Sequence, residues 1–291
     1  MDSWISWAGL FWVAAFAMVA GISTIIIAMH ALAKSQNSQV PKWRPKNSPI
    51  HLLVVLGSGG HTAEMFSMLR RMKLDPSKYT YRTYLVSSGD NFSAAKAVEF
   101  ETAYINKVAK ASAAAAAADA EKKDEQRSTG AYTIVTVPRA RRVHQSFLTA
   151  PFSTIQSFWS CLLVLRGLHP DQRPLTAPIR SPYPDIILTN GPATAVCVIL
   201  AARLLRLCHA FCAVLTFRRR AGTQTGSETN APDFQLRTIF VESWARVTTL
   251  SLSGKLLLPF ADRFLVQWPA LEGKKAWPGM RETEYAGTLV D

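Results

Sequence analysis

Six short apolar runs, each closed by a polar or glycine-bearing loop, constrain this chain more tightly than any other feature. They are Ile50–Leu56 before GSGGHT, Tyr81–Val86 before SSGDNF and Tyr132–Val137 before PRARRV. Asp185–Leu188 before TNGPAT, Arg237–Val241 before ESWARV and Arg263–Val266 before QWPAL complete the set. A strand with one wet face alternates apolar and polar residues, whereas a near-continuous apolar run is buried on both faces. Helical stretches separate the runs, so the expected fold is α/β, one Rossmann-like parallel sheet covered on both sides. Ligands of such sheets bind beyond the carboxyl ends of the strands. The polar loops therefore converge on one crevice.

The amino terminus obeys a different constraint. From Ser3 to Ala33 there is no Asp, Glu, Lys or Arg, and about 20 apolar residues suffice to cross a bilayer as a helix. Ala31-Leu32-Ala33 mimics a signal-peptide cleavage site. The run is nevertheless too long for a signal peptide, and Asp2 stands where such peptides carry Lys or Arg. A retained transmembrane anchor over residues 1–33 is the favoured reading. Lys34, Lys42, Arg44 and Lys46 follow it in a basic linker, residues 34–49, and such charge marks the cytosolic side. The N-terminus is thus expected across the membrane, with Trp4, Trp7 and Trp12 toward the far interface.

Residues 50–291 read as one domain with three insertions, at about 106–130, 168–184 and 218–235. Without anchor, linker and insertions about 180 to 200 residues remain, the size of a single sheet domain. Ala193 to Phe217 is long and apolar, but Arg203 and Arg206 interrupt it, so a core helix running into a strand is expected. Phe152, Ile155, Trp159, Leu162 and Leu165 recur at helical spacing. Core packing is the first reading of that stripe, and a helix lying in the membrane surface is the alternative.

The net charge of +13 suits a nucleic acid, an anionic membrane or a phosphorylated substrate. Signatures of the common nucleic-acid modules are absent from the sequence, and no nucleic-acid partner is expected. Cys161, Cys197, Cys208 and Cys212 lack the paired spacing of a zinc site and are expected to be small buried hydrophobes. No metal is expected.

The first loop, LGSGGHTAEM, carries the most chemistry. Gly57, Gly59 and Gly60 let backbone amides approach an anion, and the helix opening near Thr62 aims its positive end at the same point. A purely structural tight turn is the alternative. A dinucleotide fingerprint fails, because Thr62 stands at the third glycine and Ser87-Ser88 offers no acid for a ribose. A P-loop would need Gly-Lys-Ser/Thr, which is missing, so no cofactor is expected. His61 at the helix mouth can accept a proton from a hydroxyl, with Glu64 in the first turn beside it. Arg139, Arg141 and Arg142 form either a set of diphosphate-binding forks or a solvated basic loop. Asn190-Gly191-Pro192, before a helix beginning near Thr194, offers a second anion seat.

Five stretches match one family together. LGSGGHTAEM, VPRARRVHQS, PDIILTNGPATAV, IFVESWARVTTLSLSGKLLLPFADRFLVQWPAL and EYAGTLV resemble the membrane-anchoring subunits of the two-subunit N-acetylglucosaminyltransferase of dolichol-linked oligosaccharide synthesis. The run from ESWARV to VQWP is the most specific, while the glycine loop is shared with related bacterial lipid-linked glycosyltransferases. Ala193 departs from the family's pattern, which has glycine there.

The resemblance implies the amino-terminal, acceptor-side half of a GT-B glycosyltransferase, inactive alone. Its partner would be a soluble UDP-GlcNAc-binding catalytic subunit, and the pair would transfer GlcNAc, with inversion and without metal, to GlcNAc-diphosphodolichol. The β1,4 linkage would form at the cytosolic face of the endoplasmic reticulum membrane. On this reading His61 and Glu64 are the candidate catalytic residues. Gly57, Ser58, Gly59, Gly60, Arg139, Arg142, Asn190, Gly191, Thr194, Glu242 and Ser243 are the candidates for holding the acceptor diphosphate, and Tyr285, Leu289 and Val290 for docking the partner. The alternative is a non-catalytic scaffold whose glycine loop is purely structural.

Overall fold

A computed structural model of the chain describes residues 2–37, 49–111, 130–141, 145–146, 148–172, 183–191, 193–220 and 236–290. Much of the three expected insertions, and most of the linker, lies outside them.

All six expected strands form: β1 (His51–Val55), β2 (Tyr81–Ser87), β3 (Ala131–Val137), β4 (Ile186–Asn190), β5 (Arg237–Val241) and β6 (Arg263–Val266). A short β7 (Glu284–Tyr285) adds an edge that the sequence did not announce. The sheet is parallel throughout, in the order β3-β2-β1-β4-β5-β6-β7. The chain winds outward from β1 to β3 and then returns to place β4 on the other side of β1. That reversal opens a crevice between the carboxyl ends of β1 and β4, where sheets of this kind bind ligands.

Alternation along β1 splits the core in two. Leu52 and Val54 meet Met65, Phe66 and Leu69 of α2 (Gly60–Arg71) and Phe100 beyond α3 (Asn91–Glu99). Leu53 and Val55 face the other side, with Cys161 and Val164 of α4 (Ala150–Leu165) and Val198 and Ala202 of α5 (Thr194–Arg220). Helix α6 (Leu252–Leu257) closes the β5–β6 end of that second face. Helix α5 is one continuous helix, so the strand expected at the end of the Ala193–Phe217 stretch does not form. The apolar stripe of α4 divides as well. Leu162 and Leu165 pack on the core, whereas Phe152, Ile155 and Trp159 are exposed, Phe152 at 78%.

A buried ion pair braces the first face. Arg82 Nε and Nη2 donate to both oxygens of Glu101 at 2.6 and 2.7 Å, and the Tyr84 hydroxyl adds a bond of 2.7 Å. Glu101 lies in the π-helical turn Phe100–Ile105 that continues α3, a local widening common where a side chain must be aimed inward.

The N-terminal helix α1 (Asp2–Asn37) is apolar and long enough to cross a membrane. It continues past the expected boundary at Ala33 and ends inside the domain. Gln36 is buried; its amide donates to the carbonyls of Leu258 and Ala261 at 3.0 and 2.8 Å and accepts from the Arg281 amide at 3.0 Å. Next to it, Arg203 of α5 donates to Ser35 Oγ at 3.1 Å and to Asp262 at 2.8 Å, and Arg206 grips both oxygens of the same Asp262. Ser35 and Gln36 are thus part of the folded body.

Candidate functional site

The loop between β1 and α2 is fixed from below. Gly57 has its carbonyl capped by the hydroxyls of Thr62 and Ser93, which also bond each other at 2.6 Å. Ser93 is held in turn by Asp90, the N-cap of α3. This explains the threonine that breaks the dinucleotide fingerprint: its hydroxyl ties the loop to the next helix. Sequence reasoning missed this network, although an Asp three residues before a Ser at the mouth of a helix is a capping signal.

The three glycines serve different needs. A Cβ on Gly57 would lie 2.6 Å from the His61 Cβ, so close packing requires glycine there. Gly59 has φ +61, a conformation natural to glycine. A Cβ on Gly59 or Gly60 would meet nothing within 4 Å. The space above these two is open, and it lies at the N-terminus of α2, whose first amides precede the helical bonding pattern. Thr62 and Ala63 close back on the Gly59 carbonyl, so the helix opens at Gly60, two residues before the expected start.

His61 lies against this seat. Its ring packs over Gly191, where a Cβ would come within 3.1 Å of the imidazole. Nδ1 is buried and stands 3.6 Å from Glu64 Oε2, an electrostatic contact longer than a hydrogen bond. A proton on Nδ1, the tautomer that the carboxylate favours, leaves Nε2 as the basic nitrogen. Glu64 falls one residue beyond the first turn of α2 rather than in it. It accepts from Asn190 Nδ2 and from Ser243 Oγ, each at 2.9 Å, and so ties α2 to the ends of β4 and β5. Burial pushes its pKa up, but the nearby His61 and the hydrogen bonds from Asn190 and Ser243 outweigh that and hold it below the usual carboxylate value. Glu64 is therefore an ionised brace that orients the histidine.

Of the other candidates, some adjoin this centre and some do not. Asn190 keeps a buried Oδ1 without a hydrogen-bond partner. Thr194 Oγ1 bonds Ser87 Oγ at 2.9 Å, joining the mouth of α5 to the end of β2. Between them Ala193 adopts φ +27, a left-handed conformation that suits glycine better. Glu242 is buried and faces away from the crevice: it accepts from the Ser251 amide and hydroxyl at the N-terminus of α6. Gly254 is the residue that makes room for it, since a Cβ there would nearly touch its Oε2. Arg139 lies at the β3 end, with Nε donating to the Ser88 carbonyl at 2.8 Å. Arg142 lies outside the described residues. Tyr285 is exposed in β7, while Leu289 and Val290 pack on the first core face, the Leu289 amide donating to Gln267 Oε1 at 3.0 Å. Two cysteine expectations need correction: Cys161 and Cys197 are buried, but Cys208 and Cys212 are exposed, because α5 has left the domain by then. One further residue escaped sequence reasoning. Trp244, exposed beyond β5, packs against Trp268 with ring centres 5.7 Å apart and ring planes tilted by 41°, and Trp268 Nε1 donates to its carbonyl at 2.7 Å.

Known proteins resemble this chain over most of its length. Residues 52–289 match the family described as "Oligosaccharide biosynthesis protein Alg14 like". The UDP-N-acetylglucosamine transferase subunit alg14 of Aspergillus fumigatus is 62% identical over 236 residues, covering 78% of this chain and all of that one. The subunit of the same name from Schizosaccharomyces pombe is 32% identical over 95% of this chain and 97% of its own. The human one is 30% identical over 84% of this chain and 85% of its own. Among solved structures, that of Acinetobacter baumannii MurG aligns with a TM-score of 0.42 at 13% identity, covering 82% of this chain and 46% of that one. The resemblance read from five stretches of sequence is borne out, and the chain belongs to the Alg14-like family of oligosaccharide biosynthesis proteins.

Proposed function

We propose that this chain is the membrane-anchoring, acceptor-binding subunit of a two-subunit inverting UDP-N-acetylglucosamine transferase acting on GlcNAc-diphosphodolichol. The carrying observation is the open seat over Gly59 and Gly60, at the mouth of α2, with His61 beside it. Backbone amides of residues 58–61 hold the lipid diphosphate there, where the helix dipole favours negative charge. His61 Nε2, set by Glu64, accepts the proton of the acceptor 4-hydroxyl as its oxygen attacks the anomeric carbon of UDP-GlcNAc. UDP departs with the bonding electrons into the soluble partner subunit, and the single displacement gives the β1,4 linkage. The names of the relatives support the donor sugar and the subunit status. The basic residues after α1 support a cytosolic domain with the N-terminus in the lumen of the endoplasmic reticulum. The exposed Phe152, Ile155 and Trp159 of α4 support an approach to lipid on the acceptor side.

The test is Gly60→Val, assayed in the assembled pair. The position is open and its φ is not positive, so the domain folds while the side chain fills the seat. Transferase activity is expected to fall by roughly 100-fold, with the pair still co-purifying. Full activity would leave only a scaffold, and failure to assemble would make the loop structural.

A further inference from the structure

Helix α5 changes character along its length. Its first part is core: Ala195, Val198, Ile199, Ala201 and Ala202 are fully buried. From Leu204 the domain covers only one side of it, where Leu205 packs on the second core face and Arg206 pairs with Asp262, and from Leu207 to Cys212 it is exposed. Leu207 and Phe211 are each 64% exposed, and Cys208 and Cys212 are exposed beside them. A helix that stands in water normally keeps a polar face. Here the sequence from Leu207 to Phe217, LCHAFCAVLTF, contains no Asp, Glu, Lys or Arg. The described part of that stretch, Leu207 to Cys212, is exposed, and a helical segment without charged residues that its own domain leaves uncovered is buried against something else.

Its position and charge identify what that is. Arg203, where the covered part ends, touches Ser35 at the foot of α1, so the exposed part leaves the domain where the apolar N-terminal helix enters it. The helix has no acidic residue between Thr194 and Arg220 and ends in Arg218, Arg219 and Arg220. Arg203 and Arg206 share the single carboxylate of Asp262. The stretch from Leu207 to Phe217 measures roughly 16 Å as a helix, about half the hydrocarbon thickness. It is too short to span, and its arginines belong at headgroups.

We infer that the distal half of α5 lies in the headgroup–acyl boundary of an anionic bilayer, a second membrane contact beside α1. Leu204, Leu207 and Phe211 face the acyl chains, in a helix whose sequence runs on through LCHAFCAVLTF to three arginines, a charge that anionic lipid favours.

The cysteines supply the test. The full-length chain carrying Ser77→Cys, an exposed reference, is reconstituted in phosphatidylcholine–phosphatidylinositol vesicles and labelled with a membrane-impermeant maleimide. Cys208 and Cys212 are expected to react roughly tenfold more slowly than the reference, and the double change Leu207→Glu with Phe211→Glu should erase that gap. Buried Cys161 and Cys197 must stay unlabelled in every variant, which certifies the fold. Equal rates at the reference and at Cys208 would overturn the inference. So would protection that arises only when the soluble partner subunit is added, since that would make the segment a protein interface.

Discussion

Ala193 shows how one side chain can record a conformation that suits another residue better. The turn after β4 places Gly191 at φ +88 and Ala193 at φ +27. A left-handed non-glycine residue costs about 1–2 kcal/mol, and replacing it by glycine returns part of that as greater freedom of the unfolded chain. Ala193→Gly is therefore expected to stabilise the protein by no more than about 1 kcal/mol, read as a raised melting temperature in detergent. At the neighbouring seat the sequence was explicit about Gly57, Gly59, Gly60 and His61, because glycines and a histidine advertise themselves. It said nothing of which glycine packs and which leaves space, since that depends on the His61 Cβ and the Asn190 carbonyl, brought there by distant segments. Glu242 shows the same blindness. Its residue type suggests a ligand contact, and only the fold reveals that it braces α6.

At the scale of elements, β1, β2 and β4 were legible because burial on both faces leaves an unmistakable apolar run, whereas β3, β5 and β6, partly exposed, were legible from shorter apolar runs closed by polar loops. The far end of α5 was not, because Arg203 and Arg206 read as a break in an apolar stretch. The fold makes them a continuous part of the helix by supplying Asp262 from the start of β6. Burial pushes the Asp262 pKa up, but Arg203 and Arg206 outweigh it and hold the carboxyl below its usual value. A group with a depressed folded pKa contributes its full stability above the ordinary carboxylate pKa and loses it as the pH falls through the folded value. Asp262→Asn should cost about 3 kcal/mol at neutral pH, since it leaves two arginines beside a lost partner. It should also flatten the acid limb of the stability profile, as denaturant titrations between neutral and acidic pH would register.

At the scale of the whole molecule, the C-terminal tail is part of the folded body, since Leu289 and Val290 pack against core residues of the first face. We propose that the soluble subunit grips this tail-covered edge, with Tyr285 exposed upon it. Deleting residues from Gly287 onward should lower recovery of the partner in pull-downs by roughly tenfold, while the truncated chain stays with the membrane. Wild-type recovery would remove the tail from the interface.

Gln36 carries a mechanical meaning. Its three hydrogen bonds join the foot of α1 to the domain without a swivel, so the bearing of the Gly60 seat relative to the axis of α1 is set when the protein folds. If α1 is the anchor proposed above, the searching is left to the proposed lipid acceptor, which would meet a docking berth that always faces the same way.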